Sequence, residues 1–257
     1  MIGSFIQGGL GNQLFQVAAG VAHAKKVGTL FSVIEGQHHL PLQGNNISTY
    51  KSNILRNVKS ISQDHFKNCR VYHEQGHHYT ALPPINNLFL HGYFQSEKYF
   101  ENYKKEIADL YSITPEIEKI IGEEYPYLAT EKVVSLHVRR GDYLDHPTIH
   151  PTLDNSYYTE ALASISDKDR VLIFSDDVDW CRKTFGNTFS YSSLDKDYLD
   201  LYTMSKCYHH VLANSTFSWW GAWLSNTMGS VIAPTLWFGP HGAQDTQDIL
   251  PERWERI

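Results

Sequence analysis

Val133-Val134-Ser135-Leu136-His137-Val138 runs without a break into Arg139-Arg140-Gly141-Asp142-Tyr143. Six mostly apolar residues rich in valine fit a buried strand, and the two arginines, glycine and acid that follow fit its end. The arrangement recurs downstream: Val171 to Phe174 (VLIF) leads into Ser175-Asp176-Asp177, His210 to Ala213 leads into Asn214-Ser215-Thr216, and Ser230 to Ala233 closes the series. Helical patterns lie between them, over Tyr157 to Ile165, Val178 to Phe185, Tyr198 to Tyr208 and Phe217 to Leu224, with a short β-rich run at Thr188 to Tyr191. Strands that are apolar throughout belong to a parallel sheet covered by helices on both faces, so this half reads as Rossmann-like β/α.

Upstream, Ile2 to Gln7 reads as a strand, Gly8-Gly9-Leu10-Gly11-Asn12-Gln13 as a glycine loop, and Leu14, Phe15, Ala18, Val21 and Ala22 recur at helical spacing. Thr29 to Ile34 closes this βαβ unit. From His38 to Pro84 the pattern fades into polar, His-, Asn- and Pro-bearing sequence. Ser96 to Ile107 is expected to be helical, and Thr114-Pro115 before Ile117, Ile120 and Ile121 supplies an N-cap with proline at the first helical position. Tyr125-Pro126 breaks that helix. The expected division is therefore an N-terminal α/β domain over 1–126 and a C-terminal Rossmann-like domain over 127–257.

The chain has 257 residues, 42% of them hydrophobic, enough for one large core or two compact ones. With 22 Lys and Arg against 28 Asp and Glu the net charge is −6, which argues against nucleic acid as a partner and makes any anion site local. No run approaches the ~18 apolar residues of a membrane span, and MIGSFIQGGLGNQLF lacks the basic region that begins a signal peptide. The expectation is a cytoplasmic protein, with room left for a loose, peripheral membrane contact. Cys69, Cys181 and Cys207, an odd number with no CxxC pair, fit reduced thiols.

In an open parallel sheet, ligands bind beyond the carboxyl ends of the strands. Four such ends carry polar groups here. GGLGNQ can present backbone N–H groups to an anion at a helix start, or it is a tight turn capped by Asn12; it completes neither GxGxxG nor a Walker loop. Arg139 and Arg140 can clamp a diphosphate through bidentate hydrogen bonds, or form a surface charge cluster. Adjacent residues of a strand point oppositely, so one arginine is expected to face the ligand while the other pairs with Asp142 or another carboxylate. Asp176 and Asp177 can accept from a guanine edge or ribose hydroxyls, Ser215 and Thr216 can bond phosphate oxygens, and either stretch can equally cap a helix. Trp219-Trp220-Gly221-Ala222-Trp223 reads as helix core. His73-Glu74-Gln75-Gly76-His77 matches the zinc motif HExxH, but Gly76 within it and Pro83-Pro84 beyond it oppose the helix that motif needs. No metal site is expected, and the doublets His38-His39 and His209-His210 lack ligand spacing.

Taken in order, GGLGNQLFQ, HVRRGDY, FSDD and DYLDLYTMSKCYHHVLANSTFSWWGAWL resemble the α-1,2-fucosyltransferases of glycosyltransferase family 11. The resemblance implies an α/β, GT-B-like fold of two Rossmann-like β/α domains facing a central cleft. It implies an inverting, metal-independent transfer of L-fucose from GDP-β-L-fucose to the terminal galactose of an oligosaccharide acceptor, with no cofactor beyond the donor substrate. Arg139 would contact the β-phosphate, supported by Arg140 and His137. Asp176 or Asp177 would read guanine or ribose, and Ser215, Thr216 and Phe217 would lie along the diphosphate and base. Asn12 would sit in the cleft near the phosphates or the acceptor.

Breaking the bond to GDP builds negative charge on the departing β-phosphate oxygen, which Arg139 is placed to stabilise. The base for the acceptor hydroxyl is expected to be Asp142, with Asp145 and His146 also within reach along the chain; Asp142 holding Arg140 in place is the other role open to it. A nucleotide- or carbohydrate-binding module without turnover is the alternative reading, and an oxidoreductase is disfavoured by the incomplete GxGxxG.

Overall fold

A computed structural model describes residues 1–34 and 45–257. The doublet His38-His39 and the start of the faded segment lie outside the described residues. The chain forms two compact units, Met1–Ile113 with Asp245–Pro251, and Thr114–Gln244 with Glu252–Ile257.

The first unit is built on strands β1 (Ile2–Ser4), β2 (Phe31–Ile34), β3 (Ser60–Ile61), β4 (Arg70–His73) and β5 (Leu88–His91), all parallel, in the order β3-β2-β1-β5-β4. Helix α1 (Leu10–Lys26) follows β1, and α2 (Lys104–Leu110) closes the main run. The apolar residues read at helical spacing explain α1: Leu14, Phe15, Ala18 and Ala22 are buried, and Val21 is half-buried. The helix expected over Ser96–Ile107 is instead two 3-10 turns, Glu97–Tyr99 and Glu101–Tyr103, followed by α2. Phe100 lies between the turns at φ −136° and is 1% exposed, its ring 6.2 Å from that of Phe15. Burying that ring takes the backbone out of helical geometry.

The second unit opens with α3 (Pro115–Glu124), whose N–H at Ile117 donates to the Oγ1 of Thr114, as the cap signal predicts. Its strands β6 (Val133–Val138), β7 (Arg170–Ser175), β8 (Ser190–Tyr191), β9 (His209–Val211), β10 (Val231–Ala233) and β11 (Glu255–Arg256) form one parallel sheet in the order β11-β10-β9-β6-β7-β8. Helices α4 (Asn155–Ser164), α5 (Val178–Phe185), α6 (Asp197–Lys206) and α7 (Thr216–Trp223) connect them. All six residues of β6 are buried, as its apolar run requires, and Trp219 and Trp220 are fully buried in α7.

The units divide at Thr114 rather than at the break after Tyr125 where the sequence suggested a boundary. The reason is the set of contacts α3 makes: Glu118 pairs with Lys206 on α6, and the Tyr125 hydroxyl lies 3.2 Å from both the Ser192 and Ser193 hydroxyls. Residues 245–251 return to the first unit, where Asp245 Oδ2 meets His78 Nδ1 at 2.7 Å and Asp248 Oδ2 accepts the Tyr79 N–H at 2.8 Å. No helix among the described residues is long and apolar enough to cross a membrane, and the fold adds no support to a membrane contact. The three cysteines are free.

Candidate active site

Strand order reverses direction twice in this molecule, between β1 and β5 in the first sheet and between β6 and β9 in the second. At such a switch point the connections leave on opposite sides and open a crevice at the strands' carboxyl ends. In the second unit that crevice is flanked by Arg139-Arg140 after β6 and Asn214-Ser215 after β9.

Arg139 is held by two carboxylates. One Nη donates to Asp142 Oδ1 at 2.6 Å, the other lies 3.1 Å from Asp176 Oδ2, and the guanidinium sits 5.4 Å from the Tyr143 ring centre. Arg140 points elsewhere: its Nε donates to Asp177 Oδ2 at 3.0 Å and its guanidinium lies over the Trp180 ring at 4.2 Å. The Arg140 backbone N–H donates to Asp176 Oδ1 at 2.9 Å. Gly141 permits this: a Cβ there would stand 2.5 Å from Asp176 Oδ2. Asp142 thus holds Arg139 and not Arg140, the reverse of the positioning role suggested from sequence. Asp145 and His146 are exposed.

FSDD divides its two roles between its two acids. Asp177 caps α5, accepting the Trp180 N–H at 3.0 Å, and this bond together with Arg140 holds its carboxyl below the usual range. Asp176 is the partner of Arg139. Ser215 caps α7, its Oγ accepting the Phe217 N–H at 3.3 Å, with Thr216 in the first turn. Phe217 lies 5.5 Å from the buried ring of His137, which burial, and then the Arg139 charge, push down to about 3. That ring is neutral, and its Nδ1 has no hydrogen-bond partner among the described residues.

Three participants are given no role in the sequence reading. Asn214 is 2% exposed; its Nδ2 donates to the carbonyls of Pro151 and Trp237, both at 3.0 Å, while its Oδ1 is unpartnered among the described residues. Tyr143 donates its hydroxyl to the Asn214 carbonyl at 2.9 Å and stacks on His150 at 4.8 Å. Trp180 is the platform beneath Arg140. Asn214 directly follows an apolar run, and the strand-end rule marks its position but not its buried bonds; the two aromatic contacts leave no local signal. The His137 Nδ1 and Asn214 Oδ1 atoms are enclosed behind the strand ends of the switch point, with no hydrogen-bond partner among the described residues.

In the first unit, Asn12 does not cap α1. The N-cap is Gly9, which makes no side-chain bond, and Asn12 Oδ1 instead accepts from Gln95 Nε2 at 2.9 Å. Gly8 has φ +78°, the left-handed geometry that explains a glycine there. Gln16 braces the loop through Gln7, accepting its N–H at 2.9 Å and donating to its carbonyl at 3.0 Å. The HExxH stretch is not helical: His73 ends β4, and Glu74 accepts the N–H groups of Tyr93 and Phe94 at 2.6 and 2.9 Å. Burial raises the Glu74 carboxyl above its ordinary value. No cluster of three or more metal-ligating side chains occurs among the described residues.

Two parallel α/β sheets, each with its own switch point, define a GT-B-type glycosyltransferase fold. The fucosyltransferase NodZ from Bradyrhizobium superposes with a TM-score of 0.54, covering 87% of this chain and 93% of its own, at 13% identity, a likeness of fold. The family model for glycosyl transferase family 11 matches residues 3–257, and the chain belongs to that family. It is 30% identical to an alpha-1,2-colitosyltransferase of Escherichia coli, with 98% of this chain and 97% of the relative covered. It is 28% identical to the Escherichia coli O-antigen biosynthesis glycosyltransferase WbnK, with 91% and 94% covered.

Proposed function

We propose that this glycosyltransferase moves L-fucose from GDP-β-L-fucose to a terminal galactose in α-1,2 linkage, with inversion and without a metal ion. The observation that carries the reading is Arg139, fixed by Asp142 and Asp176 at the β6/β9 switch point. A guanidinium has five N–H donors, so these ion pairs leave others for a diphosphate. As the glycosidic bond to GDP breaks, charge gathers on the β-phosphate, and a pre-oriented guanidinium stabilises it without reorganising. NodZ was crystallised with GDP, which supports a nucleotide-sugar donor on this fold.

Arg140, stacked and paired, stiffens the strand end, and the first turn of α7, with Ser215, Thr216 and Phe217, offers hydroxyls, N–H groups and a ring to the nucleotide. Neutral His137 donates or accepts a hydrogen bond but adds no charge. Asp142, engaged by Arg139, acts as a positioning residue. Asn12, tied to Gln95, meets the acceptor or the phosphates.

Incubation with GDP-fucose and lactose tests this: released GDP with a fucosylated trisaccharide is expected, unchanged by EDTA. GDP binding without release would mark a non-catalytic module. The colitosyltransferase relative favours a second reading, colitose as the sugar moved, and competition between the two GDP-sugars separates them.

A further inference from the structure

The loop that carries Arg139 runs from the end of β6 to the start of α4, and the two ion pairs of Arg139 do not by themselves hold it in place. Asp142 lies three residues on, in the 3-10 turn Gly141–Asp145, so that pair moves with the loop. Asp176 ties Arg139 to the end of β7, the neighbour of β6 on the side away from the switch point. The crevice opens on the other side, between β6 and β9, and there the loop needs a hold of its own.

Tyr143 supplies it. Its hydroxyl reaches from the loop to the end of β9 and donates to the Asn214 carbonyl at 2.9 Å. Asn214 is buried and held in turn: its Nδ2 donates to the carbonyls of Pro151, at the far end of the same loop, and of Trp237, both at 3.0 Å. One buried residue thus pins the loop near both of its ends. Between those points the N–H groups of Gly239 and His241 donate to the carbonyls of Ile149 and Thr148 at 2.9 and 3.0 Å. Desolvation pushes the Tyr143 phenol up to about 12, so it keeps its proton and stays a donor at neutral pH.

The ring is as constrained as the hydroxyl. It stacks on His150 at 4.8 Å and 21°, and the His150 ring lies 5.5 Å from that of Phe238. The Arg139 guanidinium stands 5.4 Å from the centre of the Tyr143 ring, within reach of a cation–π contact. The carboxylates set the direction of the guanidinium N–H groups, and this ring limits where the group can move. Without it, Arg139 and Asp142 could swing together as a pair.

We propose that Tyr143 is a positioning residue for the transfer: its ring against Arg139 and its hydroxyl on the end of β9 fix the direction in which Arg139 meets the departing diphosphate. This rests on the donor-side role of Arg139 given above. Tyr143→Phe keeps the ring and loses the tie to β9; turnover, read as GDP release, is expected to fall about fivefold with the KM for lactose unchanged. Tyr143→Leu removes the ring as well and is expected to cost about fiftyfold. In an Arg139→Ala background the phenylalanine change is expected to cost less than about twofold, because residues that act through one another are not additive. The same cycle read in the GDP dissociation constant needs no acceptor: binding about threefold weaker with Arg139 present, and no further change without it. A loss that persists in full without Arg139, wild-type turnover in Tyr143→Phe, or a loss confined to the KM for lactose would overturn the positioning role and leave that of Arg139 standing. Wild-type turnover in Arg139→Ala, or a wild-type protein that does not bind GDP, would strike the donor reading itself and the role of Tyr143 with it.

Discussion

At the switch point of the first sheet the groups that follow the strands are glycines and amides; at that of the second they are guanidiniums and carboxylates. Gln7, Asn12, Gln16 and Gln95 bond one another or the backbone in the first unit. In the second, Arg139 and Arg140 face Asp142, Asp176 and Asp177, two positive charges against three negative. Two all-parallel sheets of different strand order therefore present a neutral hydrogen-bonding surface in one unit and an ion-paired one in the other. The lesson of the second is that anion binding there cannot come from net charge. It must come from geometry, with phosphate oxygens taking N–H donors that the carboxylates have already oriented.

The sharpest way to break this contrast is Arg139→Ala. Loss of a positioned cation at developing charge is worth several kcal/mol in a water-poor site, so turnover measured by GDP release is expected to fall at least about a hundredfold. Arg139→Lys keeps the charge and loses the fork, and is expected to recover little. Near-wild-type turnover in the alanine variant would remove Arg139 from the chemistry. Gly141→Ala tests geometry alone: the added Cβ displaces Asp176, no charge changes, and turnover is expected to drop about tenfold.

In the first unit the matching test concerns Glu74, the carboxylate beneath the loop that carries Gln95. Phe94 sits at φ 53°, a conformation that a side chain adopts only when held. Two N–H groups donate to Glu74 across that turn. Glu74→Ala leaves both without their acceptor, at a cost of about 2–4 kcal/mol. A melting temperature lower by about 5–10 °C is expected, and an unchanged one would show that the turn holds itself.

Legibility in the sequence follows the same divide. The second unit was readable because its central strands are buried, β-rich runs and four of its five helices open with a side-chain cap: β6, β7, β9 and β10 and their helices lie where the periodicity puts them. Arg139, Asp176 and Ser215 were singled out because ligands of a parallel sheet bind beyond its strand ends. What escaped was non-local. Strand β11 is two charged residues, and Asp245 and Asp248 join the first unit through bonds to residues about 170 positions away. The partner of Asp142 could not be read either, because two adjacent arginines offer the same reach and only the strand's facing decides between them.

Asp200 on α6 sharpens the comparison from within the charged unit. It is half-buried, accepts from the Ser192 hydroxyl, and desolvation pushes its carboxyl up to about 7. Between the unfolded value near 4 and about 7 the folded chain binds the extra proton, so this group makes stability fall as pH rises through that window and level off above it. Asp200→Asn cannot ionise. It is expected to raise the melting temperature at pH 8, change it little at pH 4.5, and flatten the slope between; equal shifts at both pH values would assign Asp200 no proton in the folded state.

The smallest effect is expected from Asn12→Ala. Its Oδ1 accepts a neutral bond from Gln95, and a neutral hydrogen bond contributes about 0.5–1.5 kcal/mol, a factor of roughly 2–12. If the amide-lined switch point meets the acceptor sugar, that factor appears in the KM for lactose, while the KM for GDP-fucose and the affinity for GDP stay put. If Asn12 lies against the phosphates, the donor constants move instead. The variant divides the two positions that the sequence left open for this residue, and it does so through a group that carries no charge. Equal changes in both constants would mean that Asn12 acts on the fold of the glycine loop and touches neither substrate.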